Sequence, residues 1–219
     1  MKYLAVSKKD LKSEFRLRAS LSALLLFIFT AVILVYFAST GKELPKTALS
    51  AIYWLILFFG SVTGLAKAFV QEDERNTTLF LKISTTVHKV YYGKLFYNLL
   101  LANVINFLSL GICLLVLPGF ELKSLWLMSL TVFAGGSAIA IVLTLLSAII
   151  TFASAKNALL PVLAFPMILP IIMPAVENTI FAFNTSEFTL IANNIKLIFA
   201  YSGVILTLSH FLFEYLWQD

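Results

Sequence analysis

The sequence predicts an all-α polytopic membrane protein with six transmembrane helices, and three observations carry that prediction. The first is composition: 60% of the 219 residues are hydrophobic and 12% are charged, with a mean hydropathy of +0.95, more apolar surface than one soluble core can hide. The second is length. Apolar runs of about 20 residues, enough to cross the hydrocarbon, fall at 19–38, 47–70, 95–117, 125–152, 158–176 and 195–217. The third is the sorting of cations between alternate connections. With a cytoplasmic N-terminus, that side collects Lys2, Lys8, Lys9, Lys12, Arg16, Arg18, Lys67, Arg75, Lys82, Lys89, Lys94 and Lys156, twelve of the sixteen. Lys42, Lys46, Lys123 and Lys196 go to the other side, so the positive-inside rule places both termini and the 67–94 loop in the cytoplasm. A pI near 9.3 is therefore a topology signal, and no nucleic-acid partner is expected.

Residues 1–18 precede the first span. On a helical wheel Leu4, Leu11 and Phe15 share one side and Lys2, Lys9, Lys12 and Arg16 another, with Ser7 and Asp10 placed to cap the start. This predicts an amphipathic helix lying on the membrane surface, ahead of a six-helix transmembrane domain over 19–219. The first span carries no charge and is expected to face lipid or to pack loosely. The second contains Gly60 and Gly64 in a GxxxG spacing, which lets another helix approach its backbone.

The stretch 67–94 is the one long polar interruption. Glu72-Asp73-Glu74 is followed by Arg75, by Thr78-Leu79, and by cations ending at Lys94. A cytoplasmic connector of this length is usually functional, and its mixture of charge and apolar residues suits contact with a soluble partner. Gly93-Lys94 is expected to open the third span, where Asn98, Asn103, Asn106 and Ser109 recur at helical spacing. Unpaired amides are costly in hydrocarbon, so this stripe must face protein or a water-filled space.

Pro118-Gly119 predicts a turn, and Ala134 to Ala138, AGGSA, a patch of close helix contact in the fourth span. The fifth span holds Pro161, Pro166, Pro170 and Pro174. Each removes a backbone donor, which predicts a kinked helix inside the bundle or along a cavity, where neighbours satisfy the freed carbonyls. Residues 177–194, with Asn, Thr, Ser and Glu among Phe181, Phe183 and Phe188, read as an outer loop or a re-entrant hairpin. Tyr215 and Trp217 close the last span as an interfacial anchor.

Several chemistries are excluded or disfavoured. Gly60 to Lys67 lacks Walker A spacing, so the chain does not hydrolyse ATP itself. His88 and His210 are far apart in sequence and the single Cys113 lies in an apolar span, which argues against a metal or haem site and rules out an intrachain disulfide. No nucleophile with its base can be assembled. The span centres lack ionisable residues, which disfavours ion-coupled transport and points to energy from a partner.

Two stretches resemble a known family. In 69–94 an acidic cluster, Glu72-Asp73-Glu74, precedes a Thr-Leu step, Thr78-Leu79, and a later Gly-Lys, Gly93-Lys94, as in many ABC-2 permeases. Residues 157–175, NALLPVLAFPMILPIIMPA, are similar to the proline-rich fifth span of the haem exporter protein B family, the permease subunit of the ATP-binding-cassette system of cytochrome c maturation. The chain departs from that pattern at Thr77, at Phe80 and across Ile83 to Thr86, where Thr85 lies in place of a Ser-Pro. The resemblance covers the whole length and implies an ABC-2 architecture of the type V exporter kind in the bacterial inner membrane. It implies a homodimer working with a separate ABC ATPase, a haem-handling membrane subunit and a haem chaperone. No cofactor is bound directly; ATP is used by the partner and haem is the substrate implied. It also makes Glu72, Asp73, Glu74, Arg75, Thr78, Leu79 and Lys94 the ATPase-coupling residues. An ABC-2 permease for a lipid-linked glycan or a drug, and a non-transporting assembly scaffold, are the alternatives.

Overall fold

The computed structural model describes residues 18–65, 87–151 and 156–218. These form six α-helices in chain order: α1 (Arg18–Ala38), α2 (Lys46–Leu65), α3 (Val87–Val116), α4 (Leu125–Ile150), α5 (Lys156–Asn184) and α6 (Phe188–Gln218). No strand occurs among the described residues. Five of them, α2 to α6, are long and apolar enough to cross a membrane, and Leu24–Ala38 of α1 is a shorter apolar stretch. Residues 1–17, where the amphipathic helix is expected, residues 66–86 of the polar stretch and residues 152–155 lie outside the described residues.

Cross-helix hydrogen bonds fix the directions. Lys46, at the start of α2, reaches Phe183 and Asn184 at the end of α5, while Asn98 near the start of α3 reaches Leu65 at the end of α2 and Thr144 toward the end of α4. Neighbours in sequence therefore run antiparallel, and α1 begins on the side where α6 ends.

The helix that the others surround is α4. It packs against α2, α3, α5 and α6, and 83% of its most apolar 18-residue window is buried, against 33% for α5. The sequence expectation placed α5 inside the bundle or along a cavity; against the first of these, Pro161 and Pro166 are exposed, Pro170 is half-buried and Pro174 is buried. The physical reason is that α5 presents Val162, Phe165 and Met173 outward, apolar side chains that lose nothing by facing lipid. Tyr201 of α6 donates to Met167 O at 2.8 Å and Ser50 of α2 to Val176 O at 2.7 Å, tying α5 to a neighbour on each side. The small residues of α4 explain why that helix is the enclosed one: Gly135 receives the Trp54 ring and Gly136 the Asn106 amide, contacts that a Cβ would obstruct.

Two helix ends differ from the sequence reading. The stretch 177–194 is not a loop or hairpin: α5 runs to Asn184 and α6 starts at Phe188, with only 185–187 between them. A helix of about 30 residues is about 45 Å long, longer than the roughly 30 Å hydrocarbon, so its polar ends sit at the interface while remaining helical. Likewise α3 begins by Val87 and not near Gly93-Lys94, because Val90, Tyr91, Lys94, Leu95 and Asn98 repeat at helical spacing and are all buried.

At the end away from the chain termini, Tyr53 meets Phe120 in a tilted contact and Phe120 meets Phe183 edge to face, with ring centroids 5.8 and 5.0 Å apart. Gly119 turns the chain there with φ +76°, its Cα facing Glu43. Ser124 caps α4 through Leu127 N, and the backbone amides of Lys123 and Ser124 both donate to Ala182 O at 3.1 Å. Gly135→Ala drives a methyl into the buried and rigid Trp54 ring. It is expected to destabilise the bundle by about 1–3 kcal/mol, read as an earlier melting transition of the detergent-solubilised protein; an unchanged transition contradicts the packing described.

Candidate functional site

The longest run of buried polar groups is a seam between α3 and α4. Asn98 and Asn106 are 1% and 0% exposed and Asn103 is half-buried. Asn98 Nδ2 donates to Thr144 Oγ1 at 2.8 Å and to Leu65 O at 3.4 Å. Asn103 Nδ2 donates to Ser137 Oγ at 3.1 Å and to Leu99 O at 2.8 Å, one turn back on its own helix. Thr144 passes its hydroxyl proton to Ala140 O at 2.6 Å, which leaves its oxygen free to accept from Asn98.

Further along, the pairing stops. Neither amide atom of Asn106 has a hydrogen-bond partner, and Ser109 Oγ and Asn103 Oδ1 also lack one. Asn106 is held in place through its backbone, whose carbonyl accepts from Tyr53 Oη at 3.3 Å, and its side chain lies against Gly136. A buried amide without a partner costs about 1–3 kcal/mol. The seam is thus satisfied at one end and strained at the other, within three turns of one helix.

A second set of ties holds the proline-bearing helix between α2 and α6. Trp54 Nε1 donates to Thr179 Oγ1 at 2.9 Å. Lys46 Nζ reaches Phe183 O at 3.3 Å and Asn184 Oδ1 at 3.4 Å, a cation at the negative end of the α5 dipole. From α6, Asn194 Nδ2 donates to Glu177 Oε2 at 3.1 Å and to Asn178 Oδ1 at 2.9 Å. Gly60 and Gly64 face α1, a Cβ at Gly64 meeting Leu24 and one at Gly60 lying 3.7 Å from Ile28.

Of the coupling residues expected from sequence, Glu72, Asp73, Glu74, Arg75, Thr78 and Leu79 lie outside the described residues. Lys94 is inside them and buried, 2% exposed on the inward face of α3. Sequence reading missed two arrangements. The hydroxyl partners on α4, Ser137 and Thr144, look like ordinary small residues in an apolar span, and only their offset from the asparagines in space singles them out. His88 and His210, distant in sequence, stack with centroids 4.3 Å apart and planes 11° from parallel; the one available signal was that both lie one to two turns from the same end of their spans.

Among the described residues no three His, Cys, Asp or Glu side chains gather as a metal site. Six helices, five of them long and apolar enough to cross a membrane, make this a multi-pass membrane protein. The chain belongs to the CcmB protein family, which it matches over residues 1–215. Haem exporter protein B, as this family is called, is a permease component of haem export for cytochrome c maturation, an inner-membrane protein that partners an ABC ATPase and is not itself one. Comparison with curated proteins gives no match.

The seam makes a contrast that stability measurements can read. Asn98→Ala removes two donated hydrogen bonds and is expected to lower stability by about 0.5–1.5 kcal/mol. Asn106→Ala removes an amide that has no partner and is expected to leave stability unchanged or raise it. Equal losses in the two variants, measured as melting shifts in one detergent, contradict the assignment of the strain to Asn106.

Proposed function

We propose that this chain couples hydrolysis by separate ABC ATPase chains to haem export, or to release of a haem-loaded periplasmic chaperone, as one of two copies in a homodimer. The observation that carries the reading is the family match over residues 1–215, and the layout of α3 gives it a mechanism. The first two turns of α3, Val87 to Lys94, are the last part of the 67–94 stretch in which the acidic cluster lies. In this reading a push on that stretch from an ATPase is passed to the start of α3.

In this reading Glu72, Asp73, Glu74, Arg75, Thr78 and Leu79 take the contact and Lys94 fixes the base of α3 in the bundle. Asn98, Asn103 and Asn106 are the groups whose bonds with α4 change as α3 turns, moving α2 and α3 against α5 with its prolines. Asn106 supports a second arrangement because it loses nothing by leaving the present one. The termini and the 67–94 stretch face the cytoplasm by the positive-inside rule. The chain binds no cofactor of its own; ATP belongs to the partner and haem is the substrate, handled with a second haem-carrying membrane subunit and the chaperone.

Affinity purification of the tagged chain in mild detergent tests the assembly. An ABC ATPase recovered together with a haem-handling membrane subunit is the expected result. An ATPase alone replaces haem by another substrate such as a lipid-linked glycan or a drug, and a folded preparation without any ATPase leaves a scaffold. Coupling is tested separately by reversing the charges of Glu72→Lys and Glu74→Lys together. Cytochrome c assembly is expected to fall at least tenfold, the loss of about 1.4 kcal/mol of coupling, while the chain still reaches the membrane; assembly at the parent level overturns the coupling role.

A further inference from the structure

We propose that the first half of α4, where it runs between α3 and α6, is the floor of a groove that docks one transmembrane helix of a second, different membrane protein, an apolar helix with a hydroxyl or amide side chain at the depth of Ser129. The helix that the rest of the bundle encloses is open along one stripe. Trp126, Ser129, Leu130, Phe133 and Ser137 recur at three- and four-residue steps and so share one face of α4. Trp126 is 69% and Phe133 48% exposed, and the other three are half-buried. The same face continues through Ala140, Ile141, Thr144 and Ser147, and there each of them is buried.

The walls are α3 and α6, both of which pack on α4. Asn103 reaches Ser137 at 3.1 Å and Asn98 reaches Thr144 at 2.8 Å, which places α3 along one edge of the stripe, while Gly135 on the opposite face meets Trp54 of α2. The two walls meet at the end where the chain termini lie. There Tyr92 Oη is 3.1 Å from His210 Nδ1 and the Tyr91 ring packs on Phe213 with centroids 5.0 Å apart. Toward the other end they leave the floor uncovered. Phe107, one turn on from Asn103, is exposed on the α3 wall, and Phe199, three turns back from His210, is exposed on the α6 wall. Gly203, two turns back from His210, has nothing within 4 Å of the place its Cβ would take. From Trp126 to Ser137 the floor is about 17 Å long, about half of the roughly 30 Å hydrocarbon. The groove is open in one leaflet and shut in the other.

Three features select the occupant. The Ser129 hydroxyl has no hydrogen bond among the described residues, and Ser137 Oγ accepts from Asn103 without donating to any of them. A lipid tail can pair neither hydroxyl, whereas a helix bearing Ser, Thr, Asn or Gln can. The open side of Gly203 lets a backbone come close to the α6 wall, as helices meet in lipid. Concavity argues against a second copy: a twofold contact sets the same patch against itself, and two facing grooves leave both floors uncovered.

The test is photo-crosslinking of the full chain in the membranes of the cells that make it. A benzophenone-bearing phenylalanine analogue stands in place of Phe133 or, as a reference, in place of Phe29, which is exposed on α1 where that helix packs on α2 and α3. Adducts are separated by mass and the joined peptides sequenced. Position 133 is expected to join a membrane-spanning segment of another protein, within one turn of a Ser, Thr, Asn or Gln. Ser129→Ala, which keeps the helix and removes the hydroxyl, is expected to lower that adduct about fivefold, the weight of one interhelical hydrogen bond in lipid, with adducts at position 29 unchanged. Ser129→Leu, which fills the floor, is expected to abolish it while the chain still reaches the membrane. Lipid adducts alone or no adduct at position 133, an adduct to a second copy, or a protein adduct that neither Ser129 variant diminishes overturns the groove. The readout is the adduct, so its outcome is independent of haem export and of what the ATPase drives.

Discussion

Inside a bilayer there is no water to receive a polar group that its neighbours leave unpaired, and the arrangement of this bundle follows from that constraint. The enclosed position goes to α4, whose buried polar side chains are short hydroxyls, and Thr131 and Thr144 bond to their own helix, at Leu127 O and Ala140 O. Such a helix needs nothing from its surroundings and can be surrounded. The asparagines sit on α3 beside it, where Thr144 and Ser137 are within reach. Small residues at Gly135 and Gly136 let Trp54 and Asn106 come close enough to fill the centre. Without a hydrophobic drive between helices in lipid, this close packing and the bonds across it are what hold the bundle together.

The existence and order of the spans were legible in the sequence because apolar runs of membrane-crossing length report directly on burial in lipid. Their ends were not. Glu177, Asn178, Asn184, Asn193 and Asn194 look like a loop to any reading based on polarity, yet at the interface water and cross-helix bonds such as Asn194 to Glu177 let the helix continue. The asparagine stripe was legible as a spacing, since one-sided amides must face protein, but which helix it faced required the fold. The prolines misled for a related reason. Their number announced freed carbonyls, but not which face of the helix meets its neighbours, and the ties from Tyr201 and Ser50 reach Met167 O and Val176 O, which the prolines do not free. The histidine stack was beyond the sequence altogether: His88 and His210 are separated by four spans, and only the antiparallel return of α6 beside α3 brings them together.

The uneven satisfaction of the seam bears on how such a bundle moves. A core in which every polar group is paired resists rotation of any helix, because turning it breaks bonds that have no replacement in lipid. A core with no polar groups offers no defined second position either. The seam described lies between these limits. Turning α3 against α4 breaks the Asn98–Thr144 and Asn103–Ser137 bonds, while the amide of Asn106, the hydroxyl of Ser109 and the free Oδ1 of Asn103 are three groups that have only partners to gain.

Losses at one end and gains at the other are each of the order of 1 kcal/mol per group, so the two arrangements differ by a few kcal/mol at most. That is the range in which a partner's binding energy can select between states. The same helix carries, at its other end, the residues that continue the polar stretch and the ring that stacks on α6. A helix with unpaired groups in its middle and buried side chains at its base, Lys94 and Tyr91, has a soft direction of movement in rotation and tilt about that base. The bundle's stability and its capacity to respond are therefore set by different residues: the Gly135–Trp54 contact and the α2–α5 ties for the first, and the unpaired end of the α3 seam for the second.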